Sequence, residues 1–228
     1  MELEKITRSG KTAQKRWYDD ACGTALALEF VGERWALLII RELLYGPRRF
    51  GEIKANLPGI SANVLTQRLE SLEDARIVER RRLPSPANVQ VYELTDWGLE
   101  AEVPIREMGR WAARSPRHDP LAFMSTASAM TSLRTLIDPA RASASAMIVA
   151  FRFPDDGFVA RVGDGGIAIA RGESRDVDVT FTGDTMAMRR TIYGKEGVDG
   201  DGLLAVTGDR AAAQAFIGLF RLPEKIAS

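Results

Sequence analysis

The 228-residue chain has one cysteine and one histidine. A single Cys22 leaves no intramolecular disulfide framework and no all-cysteine metal site. A single His118, set in a proline-rich stretch, removes His-rich metal centres and argues against a Ser-His-Asp triad. An excess of one charge is also missing. The 31 basic and 31 acidic residues give a formal net charge of zero, so the whole molecule offers no electrostatic reason to expect nucleic acid. No apolar run is longer than the six residues of Trp35 to Ile40, against the ~20 of a membrane-crossing helix. Glu2, Glu4, Lys5, Arg8 and Lys11 stand where a secretory signal would need an apolar stretch. These absences set aside hydrolase, metalloenzyme and membrane readings and call for no cofactor. A reduced, cytoplasmic compartment is the expectation.

What is present divides in two. The length favours two domains over one, and 45% apolar with 27% charged residues is the composition of a globular protein. Arg114-Ser115-Pro116-Arg117-His118-Asp119-Pro120 reads as a helix end followed by a linker. The reading is an N-terminal arm over 1–16, a first domain over 17–114, a linker over 115–120 and a second domain over 121–228. The fold class expected is α+β: a winged helix-turn-helix followed by an antiparallel sheet with helices. Charge shifts across the linker, with 19 basic and 17 acidic residues before Asp119 and 12 and 14 from there on. Residues 8–82 concentrate the positive excess, 14 against 10.

In the first half, Ala25, Leu28, Val31 and then Leu37, Leu38, Arg41 and Leu44 recur at helical spacing until Gly46-Pro47 stops the run. A short element, Arg49 to Leu57, ends at Pro58-Gly59. Ser61 then offers an N-cap to a helix with the apolar stripe Val64, Leu65, Leu69 and Leu72, through about Asp74. Arg80-Arg81-Arg82, a Pro/Asn turn and the alternating Val89 to Leu94 predict a hairpin. Thr95-Asp96 caps a last helix carrying Trp97, Ala101, Ile105, Met108 and Trp111, with Pro104 a kink or break.

Helix, short helix, tight turn, helix and basic hairpin in that order predict a winged helix-turn-helix. The second helix of the motif keeps Ala62, Asn63, Thr66, Gln67, Glu70 and Ser71 off its apolar face. Such small polar residues suit a major groove, where Asn and Gln pair with adenine and Ser or Thr serves any base. Alone, that face is ordinary solvated surface and an arginine triplet is an ordinary charged edge strand. Their joint order is what points to double-stranded DNA. Ser61, Asn63, Thr66 and Gln67 are placed near bases, and Arg49, Arg80 and Arg82 near phosphates, with Arg68 a weaker candidate.

Cys22, Gly32, Trp35, Leu38, Arg49-Phe50-Gly51-Glu52-Ile53, Gly59-Ile60-Ser61, Leu65-Thr66-Gln67-Arg68-Leu69, Leu72, Val78, Tyr92-Glu93-Leu94-Thr95 and Gly98 together resemble the HxlR-type transcriptional regulators over about residues 18–114. The resemblance implies a homodimer on a palindromic operator, joined by about Cys22–Val31 and Asp96–Arg114, with Trp97, Met108 and Trp111 as anchors. Ala75 departs from a common family glycine, and Pro84 and Pro86 lengthen the wing tip. Some members of the family sense oxidants through a cysteine near this position. Here Asp19 and Asp20 are expected to raise the thiol pKa, and a buried, inert Cys22 is the reading taken.

Beyond the linker, Ser125 to Ile137 predicts a helix. Strands are predicted at Met147–Phe153, Phe158–Val162, Ile167–Arg171 and Val177–Phe181, then a helix to Tyr193, a strand at Leu203–Val206 and a final helix with Ala212, Phe216, Leu219 and Phe220. Gly163 to Gly166 lies between strands and lacks phosphate-loop spacing. Asp178-Val179-Thr180-Phe181 and Leu203 to Asp209 with the closing helix are similar to sterol carrier protein-type domains. That resemblance implies a tunnel for an apolar small-molecule effector, with Met186, Met188, Phe216 and Phe220 along it, against the plainer reading that they fill the core. The functional expectation is a DNA-binding regulator and no enzyme. The alternative is a lipid-binding or carrier protein whose winged helix is a protein-interaction module.

Overall fold

The computed structural model describes residues 18–84, 86–120 and 122–227; the expected arm over 1–16 lies outside them. The first half runs α1 (Gly23–Val31), α2 (Ala36–Leu43), α3 (Phe50–Ala55), α4 (Ala62–Asp74), β1 (Val78–Arg82), β2 (Gln90–Leu94), α5 (Asp96–Glu100) and α6 (Glu102–Ala112). Ile39, Ile40 and Leu43 of α2, Ile53 of α3, Leu65, Leu69 and Leu72 of α4 and Val78, Tyr92 and Leu94 of the hairpin form one buried cluster. Each such side chain contributes roughly 1.5–3 kcal/mol by leaving water.

Local chemistry fixes the breaks. Trp35 sits at φ 82, a left-handed conformation that separates α1 from α2. Ser61 Oγ accepts the Val64 N–H at 3.3 Å and starts α4. At its other end Arg76, at φ 59, takes the left-handed position. Its N–H donates to Glu73 O and the Ile77 N–H to Leu72 O, both at 2.9 Å, with Leu72 and Ile77 buried together. The expected last helix is two. Ala101 divides them, and Pro104 falls in the first turn of α6, where a missing N–H costs nothing. The expected helical set on α2 also turns out to face elsewhere. Ala36, Ile39, Ile40, Glu42 and Leu43 are the buried residues, while Leu38 is exposed and Leu37, Arg41 and Leu44 are half-buried.

The second half runs α7 (Thr126–Leu136), α8 (Pro139–Ser143), β3 (Met147–Phe153), β4 (Asp156–Gly163), β5 (Gly166–Arg171), β6 (Val179–Thr182), α9 (Thr185–Ile192), β7 (Ala205–Gly208) and α10 (Arg210–Gly218). Its sheet has the order β5-β4-β3-β6-β7. The expected antiparallel sheet is corrected: β6 pairs with β3 in parallel, Val149 opposite Val179 and Phe151 opposite Phe181. The chain leaves the meander at β5 and returns on the far side of β3, so its direction there repeats. α8 was not expected; Asp138 Oδ1 caps it by accepting from the Ala140 and Arg141 N–H groups at 3.0 and 3.3 Å.

Alternation sets the layers. Val149, Phe151, Phe153, Phe158, Ala160, Val162, Ile167, Ile169, Val179 and Phe181 point inward with Met130, Leu133, Met188, Ile192, Phe216 and Phe220 of the helices. Arg152, Arg161, Ala168 and Ala170 point out to solvent.

The halves are stitched by buried polar groups. Tyr45, just past α2, belongs to the second core: its ring meets Phe158 edge-on at 5.5 Å and its hydroxyl lies 3.4 Å from Thr131 Oγ1. Glu42, fully buried, accepts from Ser125 Oγ at 2.7 Å and from Arg41 at 2.8 Å. Arg48 pairs through its backbone with Tyr92 of β2 at 2.8 and 2.9 Å. Its guanidinium reaches Asp156 of β4 at 2.5 Å, both side chains being buried. Arg171 and Thr126 complete the Asp156 site at 2.8 and 3.1 Å. Burial pushes the Asp156 carboxyl above its usual range, against the pull of Arg48.

Candidate nucleic-acid interface

The turn Asn56 to Ser61 joins α3 to α4, with Leu57 and Ile60 buried and Gly59 at φ 90 supplying the left-handed step. Burying Leu65, Leu69 and Leu72 forces the opposite face of α4 outward. Asn63, Thr66, Gln67 and Glu70 all stand exposed on it at spacings of three and four. Ser61 is exposed at the helix start, its hydroxyl already accepting the Val64 N–H. The Ser71 hydroxyl turns back onto Gln67 O at 2.9 Å, leaving Asn63, Thr66 and Gln67 as the outward polar set.

The arginines separate into distinct environments. Arg49 stands exposed at the start of α3, its own N–H donating to Glu52 Oε2 at 2.6 Å. Arg68 is half-buried and donates to Glu33 Oε2 at 3.0 Å, so it ties α4 to the α1–α2 turn. Arg80 lies over the Tyr92 ring at 5.4 Å and donates to Glu73 Oε2 of α4 at 2.6 Å, which raises its pKa. Arg81 donates to Glu93 across the hairpin. Arg82 is exposed and makes no ion pair among the described residues.

Cys22 corrects the sequence expectation. It is exposed at the N-cap of α1, and hydrogen bonds from Thr24 and Ala25 at the helix start hold its thiol below the usual range. Asp20 Oδ1 instead accepts the Cys22 backbone N–H at 2.9 Å. Large apolar side chains also stand exposed along the helices the resemblance assigned to a dimer. They are Leu26 and Leu28 of α1, Trp97 and Leu99 of α5, and Val103, Met108 and Trp111 of α6, with Trp111 77% exposed. Trp97 meets Phe30 of α1 edge-on at 5.7 Å.

None of the four residues expected along a ligand tunnel lines the cavity that opens among the helices. Met188, Phe216 and Phe220 are fully buried core, and Met186 is exposed. The sheet and helices close on one another through stacked and edge-on rings, Phe151 with Phe181 and Phe216 with Phe220. Open volume lies elsewhere, in a cavity of about 420 Å³ between α2 and α6 on one side and α7 and α9 on the other. Sequence reasoning missed it, because no motif marks a space formed where helices far apart in the chain meet.

A family model described as HxlR-like helix-turn-helix matches residues 30–119. The HTH-type transcriptional regulator YodB of Bacillus subtilis is 42% identical over 86 residues, which are 38% of this chain and 77% of that protein. YvaP of the same organism, also an HTH-type transcriptional regulator, is 39% identical over 87 residues, 38% of this chain and 80% of that one. Rv3095 of Mycobacterium tuberculosis is 40% identical over 85 residues, 37% of this chain and 53% of that one. Among solved structures, the reduced form of YodB from B. subtilis aligns at 38% identity with a TM-score of 0.39, covering 43% of this chain and 98% of that chain.

Proposed function

This chain belongs to the HxlR-like helix-turn-helix family and is a DNA-binding transcriptional regulator, and from that premise we propose that it binds a palindromic operator as a homodimer. The observation that carries the operator reading is the outward set Asn63, Thr66 and Gln67 on α4, beside a basic hairpin. Residues 17–114 are assigned to DNA binding and dimerisation, 115–120 to a linker and 121–228 to an effector domain similar to the sterol carrier type. Ser61, Asn63, Thr66 and Gln67 approach bases. Arg49 and Arg82 take phosphates, and Arg80 does so only by sharing its guanidinium with Glu73; Arg68 braces α4 from behind. The exposed apolar side chains of α1, α5 and α6 form the dimer contact, since a patch of that kind is seldom left to water. An apolar small molecule adjusts operator affinity, and the protein resides in the cytoplasm. No helix among the described residues is long and apolar enough to cross a membrane.

The test is selection of bound fragments from a random DNA pool, followed by base-level footprinting. An inverted repeat with half-sites about one helical turn apart is expected. Asn63→Ala and Gln67→Ala each relax one base position by about 1–3 kcal/mol. A single unrepeated half-site overturns the dimer, and no enrichment at all overturns sequence-specific binding by this surface.

A further inference from the structure

We propose that the cavity between α2, α6, α7 and α9 binds a small, largely apolar carboxylate, and that this is the site from which operator affinity is adjusted; the second statement rests on the effector reading above. Its volume of about 420 Å³ falls within the ~300–1,000 Å³ of small-molecule sites. Leu37, Leu38, Ile105, Met108, Leu136 and Leu222 supply apolar wall. Three of the hydroxyls facing it from α7 are already engaged as donors. Thr131 donates to Ala127 O, Thr135 to Thr131 O and Ser132 to Ala129 O, at 2.7 to 2.8 Å. The Ser128 hydroxyl and Tyr193 also line the wall, and its charged side chains among the described residues are basic: Arg41 and Arg189, with His118 titratable.

Both arginines are held in place from behind. Arg41 Nε and Nη2 donate to Glu42 Oε1 at 3.1 and 2.8 Å. Arg189, 4% exposed, donates from Nε to Thr185 O and from Nη1 to Pro120 O and Ala122 O. Its Nη2 has the Met186 thioether at 3.5 Å, a weak acceptor. The acids nearest these arginines, Glu42, Asp119 and Asp184, do not line the cavity. A buried guanidinium, Arg189, with the half-buried Arg41 on the same apolar wall, favours a ligand with one anionic end, because that end restores what burial took from the guanidinium. An uncharged lipid of the same length lacks that gain.

The position explains how occupancy reaches DNA. α6 is the helix assigned above to the dimer, and the cavity lies on its side toward α7. The N-terminal end of α6 is pinned to α7 by Arg134 to Glu102 at 2.9 Å and Arg106 to Arg134 O at 2.7 Å. Further along, Gly109 faces Thr135 across the cavity wall, where an added Cβ would meet its Cγ2 in ordinary contact at 4.0 Å. The C-terminal end of α6 is held by the tail of the chain, with Lys225 Nζ donating to Ala113 O and the Ile226 N–H to Arg114 O, both at 2.9 Å. A ligand entering the cavity therefore pushes on α6 between two anchored ends and alters how two recognition helices are spaced.

Calorimetric titration of the full chain with sodium decanoate and with 1-decanol tests the site. Decanoate is expected to bind at least ten-fold more tightly than decanol. Arg41→Gln should narrow that preference, with Arg189 left to hold the carboxylate. Gly109→Leu, or Leu38→Trp should the first variant not fold, should weaken both ligands at least ten-fold by filling the space. Equal affinity for acid and alcohol overturns the carboxylate assignment, and affinities untouched by the filling variant overturn the site. Operator binding is then measured with DNA selected by the protein itself. If decanoate binds as expected but leaves operator affinity unchanged, the cavity stands and its regulatory role fails. If decanoate shifts operator affinity equally in wild type and the filled variant, the effector reading stands and this location fails.

Discussion

Two of the three wing arginines are already engaged within the protein, Arg80 with Glu73 of the recognition helix and Arg81 with Glu93 across the hairpin. Arg82 is left to meet a phosphate. Arg82→Ala should therefore weaken operator binding and lower the slope of log affinity against log salt by about two, one for each protomer of the dimer, while Arg80→Ala changes that slope less. Binding measured across a salt series decides between them. Cys22 carries the second residue-scale expectation. With its thiol exposed and its pKa lowered by the α1 N-terminus, alkylation by iodoacetamide should reach half its maximal rate at a lower pH than for a free cysteine peptide, and Thr24→Val should move that midpoint up. The outward polar face of α4 was legible because four residues at helical spacing left it no other side to occupy. The partners of Arg80 and Arg48 were not, since each depends on an acid brought in from another element, 108 residues away for Arg48 and Asp156.

Between α4 and β1 the chain accepts a conformational cost. Arg76 holds φ 59 where a glycine would be unstrained, so Arg76→Gly should stabilise the protein by about 1 kcal/mol, read as a rise in the denaturation midpoint. Ala75, noted in the sequence as the departure from a family glycine, itself stays helical at φ −75, and the strain falls on its neighbour. Gly98 shows the reverse dependence. A Cβ there would lie 2.1 Å from Ile77 O, so Gly98→Ala should force α5 away from the hairpin at a cost of about 3 kcal/mol, read in the same unfolding experiment. Most elements were legible from period and punctuation, α4 to within a residue at each end. The parallel pairing of β6 was not, because a period of two identifies a strand but says nothing of its neighbour. Nor was α8, whose five residues are too short to show a helical period.

For the molecule as a whole, the two cores are joined through Tyr45, whose phenol burial pushes up to about 12. The unfolded side chain titrates near 10, so the folded state holds the proton more firmly between those values. Stability is complete below pH 10 and falls as pH rises toward 12. Tyr193, raised in the same way by burial, adds to the loss. Tyr45→Phe should flatten this decline while costing little at pH 7, as urea midpoints measured from pH 8 to 11.5 will show.

Arg48 has its backbone in the wing and its guanidinium in a salt bridge on the far half of the chain. Cutting near residue 119, where the family match ends, would strand that cation, bare the Tyr45 ring and leave the Glu42 carboxylate without Ser125. The DNA-reading half is therefore not a cassette that can be lifted out and attached to another sensor. Any chimera that keeps the recognition helix has to carry the Asp156 corner of the second half with it, or rewrite Glu42, Tyr45 and Arg48 for life in water.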